Sequence, residues 1–483
     1  MHKRHVIIVP AGARVQLALT GSQPSYYDIR FEALLAETPE GRYNLLPLRE
    51  SVELRVRNTR FVLRSVQEME QLLSSGDRWQ AMKANVRFQE MLIALLEQDE
   101  RERTADVQRN IQRTVEYMER HLSEAITREQ LAAIAGLSPD YYTRIFKQRY
   151  GKSPIAYLTE QRMRQAKRKM LQSDESVRSI ALSLGFHDEF YFSRRFKAET
   201  GAAPTVYINR MKQEAKIASL NHLVTGHLMA LGIEPYAAVI NRAFPVATDL
   251  RNTLGIGQAE PELERLQEAR PDLIVMRGDR ETYPAFGARL MDQIAPTIVL
   301  DYAEDWRAHF QQIARMIGKR HEADRWMDRY QETARQLRSR LKAKWGEERV
   351  LIVGIGINGM CVFGRRNIGT VLYDDLHLAV PEGVSDIAHY KRITMEELLR
   401  YEADRVIFTC FQHDGSADAE RKMREQLRKL LDSERWRERM REQGVKVHSL
   451  FDTRHLYTSY NAMSHQLLLG KAAEMFQLEA YDE

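Results

Sequence analysis

Two stretches of this chain, TREQLAAIAGLSPDYYTRIFKQRYGKSPIAYL at 127–158 and SVRSIALSLGFHDEFYFSRRFKAETGAAPTVY at 176–207, place the same residue types in the same order. Phe146-Lys147 recurs as Phe196-Lys197, Gly151 as Gly201, Pro154 as Pro204 and Tyr157 as Tyr207, each fifty residues on. Gly136 recurs as Gly185 at forty-nine. A spacing kept at once by glycines, prolines and aromatics sets the turns and the buried faces of both copies together. Each copy reads as helix, tight glycine turn, helix.

In the first copy Thr127 and Gln130 have the spacing of a capping box, and Leu131, Ile134 and Ala135 give the following helix an apolar side. Gly136 permits the turn. Ser138-Pro139 then supplies a cap and a proline at the first helical position. Tyr142, Ile145 and Phe146 fall on one face, which leaves Asp140, Thr143, Arg144 and Lys147 on the other. In the second copy Ile180, Ala181 and Leu184 pack the first helix. The helix after Gly185 buries Phe192 and Phe196 and presents Glu189, Arg194, Arg195 and Lys197. Between the copies, PIAYLTEQRMRQAKRKML reads as a helix of about 18 residues, or about 27 Å, near the length of one DNA turn.

Charge points the same way. The chain carries a net +5, yet residues 108–213 hold 19 Lys and Arg against 11 Asp and Glu, a local +8 that leaves −3 for everything else. A basic charge confined to the repeat is the footprint of nucleic-acid binding rather than of a generally cationic protein.

Residues 108–212, with IALSLGFHDEFYFSRRFKAETGAAPTVY at their centre, resemble the DNA-binding domain of AraC-type transcription regulators. The resemblance implies two helix-turn-helix units on double-stranded DNA. Base contacts would fall on Asp140, Thr143 and Arg144 in the first unit and on Glu189, Phe190, Tyr191 and Arg194 in the second. Phe190 and Tyr191 depart from the polar residues of that family and suit packing or thymine methyls. Lys147, Arg195 and Lys197 lie on the same exposed faces, and His187 stands where a phosphate would lie.

Ahead of the repeat, HVIIVPAGARVQLALTGSQPSYYDIRFEALL alternates apolar and polar residues between turns, as strands do. From about Leu63 to Glu100 the period becomes helical, through Val66, Met69, Leu72 and Leu73, then Phe88, Met91, Leu92, Leu95 and Leu96. A few strands followed by two helices resembles the end of the cupin sensor and dimerisation domain of AraC regulators. Some sixty residues of strand are too few for a full small barrel. Residues 1–105 are therefore expected to be a partial cupin whose helices dimerise or brace the chain. His2 and His5 form no metal set.

After Met211 short apolar runs (EPYAAVI, PDLIVM, PTIVLDY, RVLIVGIGI, DRVIFTCF, VKVHSL) alternate with helical stretches. This pattern predicts α/β layers with parallel sheets. One long helical segment, Asp305 to Trp345, splits them into two sets, which gives two lobes joined by a rigid helix with a cleft between. Gly354-x-Gly356-x-x-Gly359 has a dinucleotide-loop spacing but lacks the acidic partner, and reads better as a turn into another strand.

GHLMALGIEPYAAV, LGIGQAEPELERLQEARPDLIVM, IAPTIVLDYAEDWRAHFQQIARMIGK and RVLIVGIGINGMCVFGRRNIGTVLYDDL resemble, in this order, the class III periplasmic binding proteins that capture ferric siderophores, haem and cobalamin. The fold class expected for the whole chain is thus multidomain. It comprises a partial β, cupin-like segment with helices (1–105), an all-α double helix-turn-helix domain (108–213) and a two-lobed α/β clamp with a long interlobe helix (218–483). Fused to a DNA reader and without a signal peptide, the clamp resembles that of intracellular AraC-type regulators that sense a catecholate siderophore of the bacillibactin type.

A ferric tris-catecholate is anionic, so its pocket should be basic and aromatic. The loops after the lobe strands offer Arg242, Arg277 and Arg280, Arg365 and Arg366, and Arg454 with His455. Tyr283, Tyr457 and Tyr460 could stack on catechol rings. The fourteen histidines are scattered, which argues against direct metal capture, and no covalent cofactor is expected. No nucleophile elbow, P-loop or spaced metal ligands point to catalysis. Cys361 and Cys410 read as reduced core thiols, and the chain as cytoplasmic and free of membrane spans. The expected function is a ligand-responsive activator of siderophore-uptake genes, with RNA polymerase, operator DNA and a second copy of the chain as partners. The alternatives are a regulator sensing haem, cobalamin or ferric citrate, and a siderophore-storage protein with secondary DNA binding.

Overall fold

The computed structural model describes residues 5–10, 13, 26–32, 34–36, 43–45, 51–241, 244–278, 287–411, 416–450 and 460–476. They fall into two compact units. One comprises Met1–His121 with Ile126–Leu158, the other Leu122–Ala125 with Thr159–Glu483.

In the first unit β1 (His5–Ile8), β2 (Leu34–Ala36), β3 (Tyr43–Leu45) and β4 (Val52–Arg55) make two antiparallel pairs, β1 with β4 and β2 with β3. Helices α1 (Thr59–Ser74) and α2 (Arg78–Arg120) follow. Asn58 caps α1 at the Phe61 N–H (3.1 Å) and Asp77 caps α2 at the Trp79 N–H (3.3 Å). Ala84, Phe88, Met91 and Leu95 line one side of α2 and pack with Leu54, Val56, Val66 and Met69. The expected boundary near residues 105–108 falls inside α2, which runs unbroken for 43 residues. Helices α3 (Arg128–Ala135) and α4 (Pro139–Tyr150) are the first helix-turn-helix. The Thr127–Gln130 capping box forms in both directions, Gly136 turns the chain at φ +65°, and Tyr142 and Phe146 are fully buried. The Tyr142 hydroxyl donates to Thr114 Oγ1 on α2 at 2.9 Å.

The second unit takes up the chain at Thr159, within the helix that precedes the second copy of the repeat. Helix α5 (Pro154–Gln172) leads into α6 (Val177–Ser183), α7 (Glu189–Thr200) and α8 (Pro204–Glu214). Asp188 caps α7 by accepting from the Phe190 and Tyr191 N–H groups, both at 3.0 Å. Arg162 on α5 holds the turn. It donates to the carbonyls of Leu122 (2.8 Å), Glu124 (2.5 Å) and Gly185 (3.4 Å). Gly185 has φ +75°, and a Cβ there would meet the Arg162 guanidinium and the Ser123 carbonyl below 3 Å.

The first lobe runs β5 (Ile217–Ser219), α9 (His222–Ala230), β6 (Ala237–Ala238), β7 (Leu254–Gly255), α10 (Leu263–Ala269), β8 (Leu273–Gly278), α11 (Gly287–Ile294) and β9 (Thr297–Asp301). Its strands are all parallel, in the order β7-β6-β5-β8-β9. Helices α12 (Trp306–Met316) and α13 (Arg320–Trp345) lead to the second lobe. The single helix expected from Asp305 to Trp345 is thus two helices. Gly318 between them has φ +69°, a left-handed conformation that ends α12.

The second lobe runs β10 (Val350–Gly356), β11 (Gly359–Phe363), β12 (Tyr390–Ile393), α14 (Met395–Arg400), β13 (Arg405–Cys410), α15 (Ala417–Asp432), α16 (Glu434–Gln443) and β14 (Lys446–Leu450), closed by α17 (Ala462–Met475). Its sheet, ordered β12-β11-β10-β13-β14, is mixed rather than wholly parallel. The VGIGING stretch makes β10 and β11 an antiparallel hairpin, and β12 continues antiparallel. Gly354 is required by packing, since a Cβ would lie 2.7 Å from both Cys361 Sγ and the Phe363 ring. Cys361 and Cys410 form no disulfide and are buried, and burial pushes each thiol up to about 12. Asp375, after β11, ties the lobe to the interlobe helices. It pairs with Arg307 on α12, accepts the Tyr330 hydroxyl of α13 at 2.7 Å, and its carbonyl takes Arg338 at 2.8 Å. No helix among the described residues is long and apolar enough to cross a membrane.

His227 on α9, His309 on α12 and His465 on α17 are buried between these helices. Burial is the main cause holding each below the ordinary imidazole value, His227 far below and His465 down to about 3. Groups kept neutral in the fold stabilise it above about pH 6.5 and lose that contribution as pH falls toward their folded values. Urea unfolding of the whole chain should therefore lose stability as pH falls from 6.5 to 5, with about 1.4 kcal/mol per pH unit coming from His465. His465→Gln should flatten that slope by about one proton, and an unchanged slope would refute the assignment.

Candidate DNA-reading face and ligand cleft

The two helix-turn-helix units place their polar faces as the repeat requires. On α4, Asp140, Arg144 and Lys147 are exposed while Tyr142 and Phe146 are not. Asp140 is paired with Arg128 at 3.0 Å, Thr143 donates to the Pro139 carbonyl at 2.8 Å, and the Arg144 guanidinium stacks 5.1 Å from the Tyr141 ring centre. On α7, Tyr191, Arg194, Arg195 and Lys197 are exposed, Glu189 is half-buried, and His187 is exposed just ahead of the helix. Phe190 is 78 % exposed. Most of the ring therefore lies outside the packing of its own domain.

In the second unit a separate site forms where strand ends of both sheets converge. Arg277 is next to last on β8, Tyr302 directly follows β9, and Arg366 follows β11. Arg277 and Arg366 both donate to the Tyr302 carbonyl, each at 3.3 Å. The Arg277 guanidinium lies 4.7 Å from the Tyr302 ring centre and 5.3 Å from that of Tyr460, and Arg366 lies 5.9 Å from the latter. Tyr460 is buried, and burial raises its hydroxyl above the ordinary value. Burial likewise holds Arg277 below its ordinary value, with the Arg366 charge acting in the same direction. His389 is lowered by burial and by both arginines.

Among the described residues neither Arg277 nor Arg366 has a carboxylate partner, and Arg277 Nε is buried without an acceptor. Two half-buried guanidinium groups facing one carbonyl and two tyrosine rings make a basic, aromatic surface that suits an anion. On the first lobe the place is the usual one for α/β sheets, outside the carboxyl ends of β8 and β9.

Of the ligand residues expected from sequence, Arg277, Arg366 and Tyr460 come together here. Arg365 points elsewhere, paired with Asp374 at 2.7 Å. Arg242, Arg280, Tyr283, Arg454, His455 and Tyr457 lie outside the described residues. Tyr302 and His389 were not foreseen. The signal for Tyr302 was present, since it ends PTIVLDY just past a strand. Among the described residues no group of three or more His, Cys, Asp or Glu could hold a metal ion.

Paired helix-turn-helix units followed by a two-lobed α/β fold define a DNA-binding regulator with a small-molecule-binding domain. Residues 131–210 match the family described as "Helix-turn-helix domain" and residues 217–438 the family described as "Periplasmic binding protein". The chain thus carries a helix-turn-helix DNA-binding domain joined to a periplasmic-binding-protein domain, two binding modules. It is similar to the HTH-type transcriptional activator Btr of Bacillus subtilis (strain 168), at 26% identity over 397 residues, covering 80% of this chain and 74% of that one. Among solved structures it is similar to Staphylococcus aureus SirA complexed with staphyloferrin B (20% identity, TM-score 0.46, 56% of this chain and 95% of that one). It is also similar to the triscatecholate siderophore binding protein FeuA from Bacillus subtilis complexed with ferri-bacillibactin (20%, TM-score 0.44, 55% and 93%).

A partly buried cation without a carboxylate partner costs stability, so removing it should not harm the ligand-free fold. Arg277→Met is expected to leave the urea midpoint of the ligand-free chain unchanged or to raise stability by up to about 2 kcal/mol. A loss beyond about 1 kcal/mol would mark Arg277 as a structural residue held by its two tyrosines.

Proposed function

We propose that this chain is a cytoplasmic transcription activator whose effector is an anionic ferric siderophore of the catecholate class. The observation that carries the reading is the Arg277–Arg366 pair, half-buried and without a carboxylate among the described residues, facing the Tyr302 and Tyr460 rings. Guanidinium groups complement phenolate oxygens, and the tyrosine faces suit aryl rings, a combination that ferric citrate, haem and cobalamin use less fully. The similarity to an activator supports activation as the output, with RNA polymerase as the further partner.

Intrinsic fluorescence from five Trp and twenty Tyr should report titration with a panel of ferric tris-catecholate, ferric citrate, haem and cobalamin. The tris-catecholate should bind best, and better with iron than without, because iron fixes both shape and charge. Replacing Arg277 and Arg366 together by Met should weaken it at least a hundredfold, since each charge-assisted contact is worth about 1.5–3 kcal/mol and 1.4 kcal/mol is tenfold. Unaltered affinity in that variant would remove the arginines from the site. Preference for haem or cobalamin would replace the catecholate.

On DNA, Asp140, Thr143, Arg144, Glu189, Phe190, Tyr191 and Arg194 are assigned to bases, and Lys147, His187, Arg195 and Lys197 to phosphates. Arg144→Ala and Arg194→Ala should each cost about 1–3 kcal/mol of specific binding and relax specificity in one half-site. Lys197→Ala should weaken all duplexes alike and reduce the salt slope by about one. Full specific affinity in both arginine variants would displace α4 and α7 as the readers.

A second copy of the chain fits α2. Trp79, Met82, Val86, Ile93 and Leu96 are between 44% and 67% exposed and follow the 3–4 spacing of a coiled-coil seam, on the side away from Met91 and Leu95. Antiparallel pairing sets Trp79 on Leu96 of the second copy and Met82 on Ile93 of the second copy, with Lys83 beside its Glu90. Parallel pairing would set Arg78 against Lys83. Val86→Asp with Ile93→Asp should give a monomer by sedimentation with unchanged thermal stability. A dimer persisting in that variant would exclude the seam.

A further inference from the structure

The second helix-turn-helix shares a core with the first lobe. Tyr207 and Met211 on α8 belong to the same buried cluster as Ile217, Val224, Phe310 and Ile313. Polar ties fasten α5 along its second half. Arg168 pairs with Asp292 near the end of α11. Asp174, just past α5, pairs with Arg320 at the start of α13, and the Gln172 carbonyl accepts from Arg315 on α12 at 3.3 Å.

Asp292 does more than hold Arg168. Its other oxygen accepts the N–H of Thr297, the first residue of β9, at 3.0 Å. At the far end of β9 the carbonyl of Tyr302 is the one shared by Arg277 and Arg366 in the cleft. Strand β9 pairs with β8 from Thr297 to Asp301, and β8 carries Arg277 itself. A five-residue paired strand, about 17 Å long, thus joins the cleft to the DNA reader.

We infer that Asp292 is a coupling residue, a strap by which an anion in the cleft changes the hold of the first lobe on α5 and so sets the position of the second helix-turn-helix. The contact has two discrete states. Asp292 is 10% exposed and Arg168 28%, and Arg168 Nε is buried without an acceptor. A guanidinium in such a place is either paired with its carboxylate or released to water, because half-paired burial leaves a desolvated charge. An anion that draws Arg277 and Arg366 off the Tyr302 carbonyl frees the end of β9, and the Thr297–Asp292–Arg168 contact at its start is the next polar link. The ligand's differential interaction with the two states is the pair of guanidinium bonds, as coupling requires.

The inference rests on the proposed anionic effector, and the test separates the two. Full-length wild type, Asp292→Asn and Arg168→Met are compared, with Arg168→Lys as the conservative variant and circular dichroism melts as the check on folding. The probes are iron(III) tris-catecholate and a duplex enriched by the wild-type chain from a random-sequence pool. In wild type the catecholate should change duplex affinity by about five- to 150-fold, and the duplex should change catecholate affinity by the same factor. Asp292→Asn and Arg168→Met should bring that factor to within twofold of one, leave catecholate affinity in the absence of DNA within about twofold of wild type, and Arg168→Lys should restore part of it. A factor unchanged in both folded variants overturns the strap.

A second measurement needs no effector. If wild type binds no catecholate, the effector reading fails, and the strap is judged by hydrogen exchange alone. Duplex DNA should change amide protection across residues 297–301 in wild type but not in Asp292→Asn. Protection of that strand indifferent to DNA in wild type, or changed equally in the variant, overturns the strap whatever the cleft binds.

Discussion

Two guanidinium groups drawn to one carbonyl oxygen are the point on which the second unit turns. Like charges repel, and among the described residues Arg277 and Arg366 turn to the Tyr302 carbonyl and the faces of two tyrosines with no carboxylate beside them. What keeps them there is architecture. Arg277 is fixed by a strand buried in a parallel sheet, Arg366 by a turn that ends an antiparallel hairpin, and the two sheets are held by α12, α13 and the Asp375 ties. The fold meets an electrostatic cost at its centre and offsets it with the apolar core around it.

That core does not stop where the DNA reader begins. The buried cluster passes from Phe192 and Phe196 through Tyr207 and Met211 into Ile217, Val224 and the helices of the first lobe. A Cβ on Gly318, at the corner between α12 and α13, would come 3.2 Å from Lys212 Cβ on α8. A regulator whose effector domain hung on a flexible linker would have to signal by proximity alone. Here reader and lobe share packing, and packed interfaces respond by switching between arrangements rather than by bending.

The repeat made the DNA-binding half legible. Glycines at φ > 0, the Thr127 capping box and the aromatic pairs Tyr142/Phe146 and Phe192/Phe196 are local signals with local consequences, and each occurs as the sequence implies. The lobes were legible as a class, because apolar runs of strand length alternate with helices. Strand direction was not. Nothing in GMCVF distinguishes an antiparallel neighbour from a parallel one until the Gly356–Gly359 turn is seen to be too short for a crossover. The cleft was half legible. Arginines after strands could be enumerated, but which of them converge depends on the loops, so Arg366 meets Arg277 while its neighbour Arg365 turns to Asp374. Tyr302 escaped notice because its contribution is largely a backbone carbonyl, which every residue has. Asp292 escaped because its partner lies 124 positions away in another domain.

The two thiols have a consequence of their own. Cys361 and Cys410 sit in the inner strands of the second lobe, and burial raises each to about 12. At neutral pH roughly one molecule in 10⁵ would carry either as the thiolate, the form that peroxides and disulfides attack. Oxidants that act on thiolates therefore find no ready target in either cysteine.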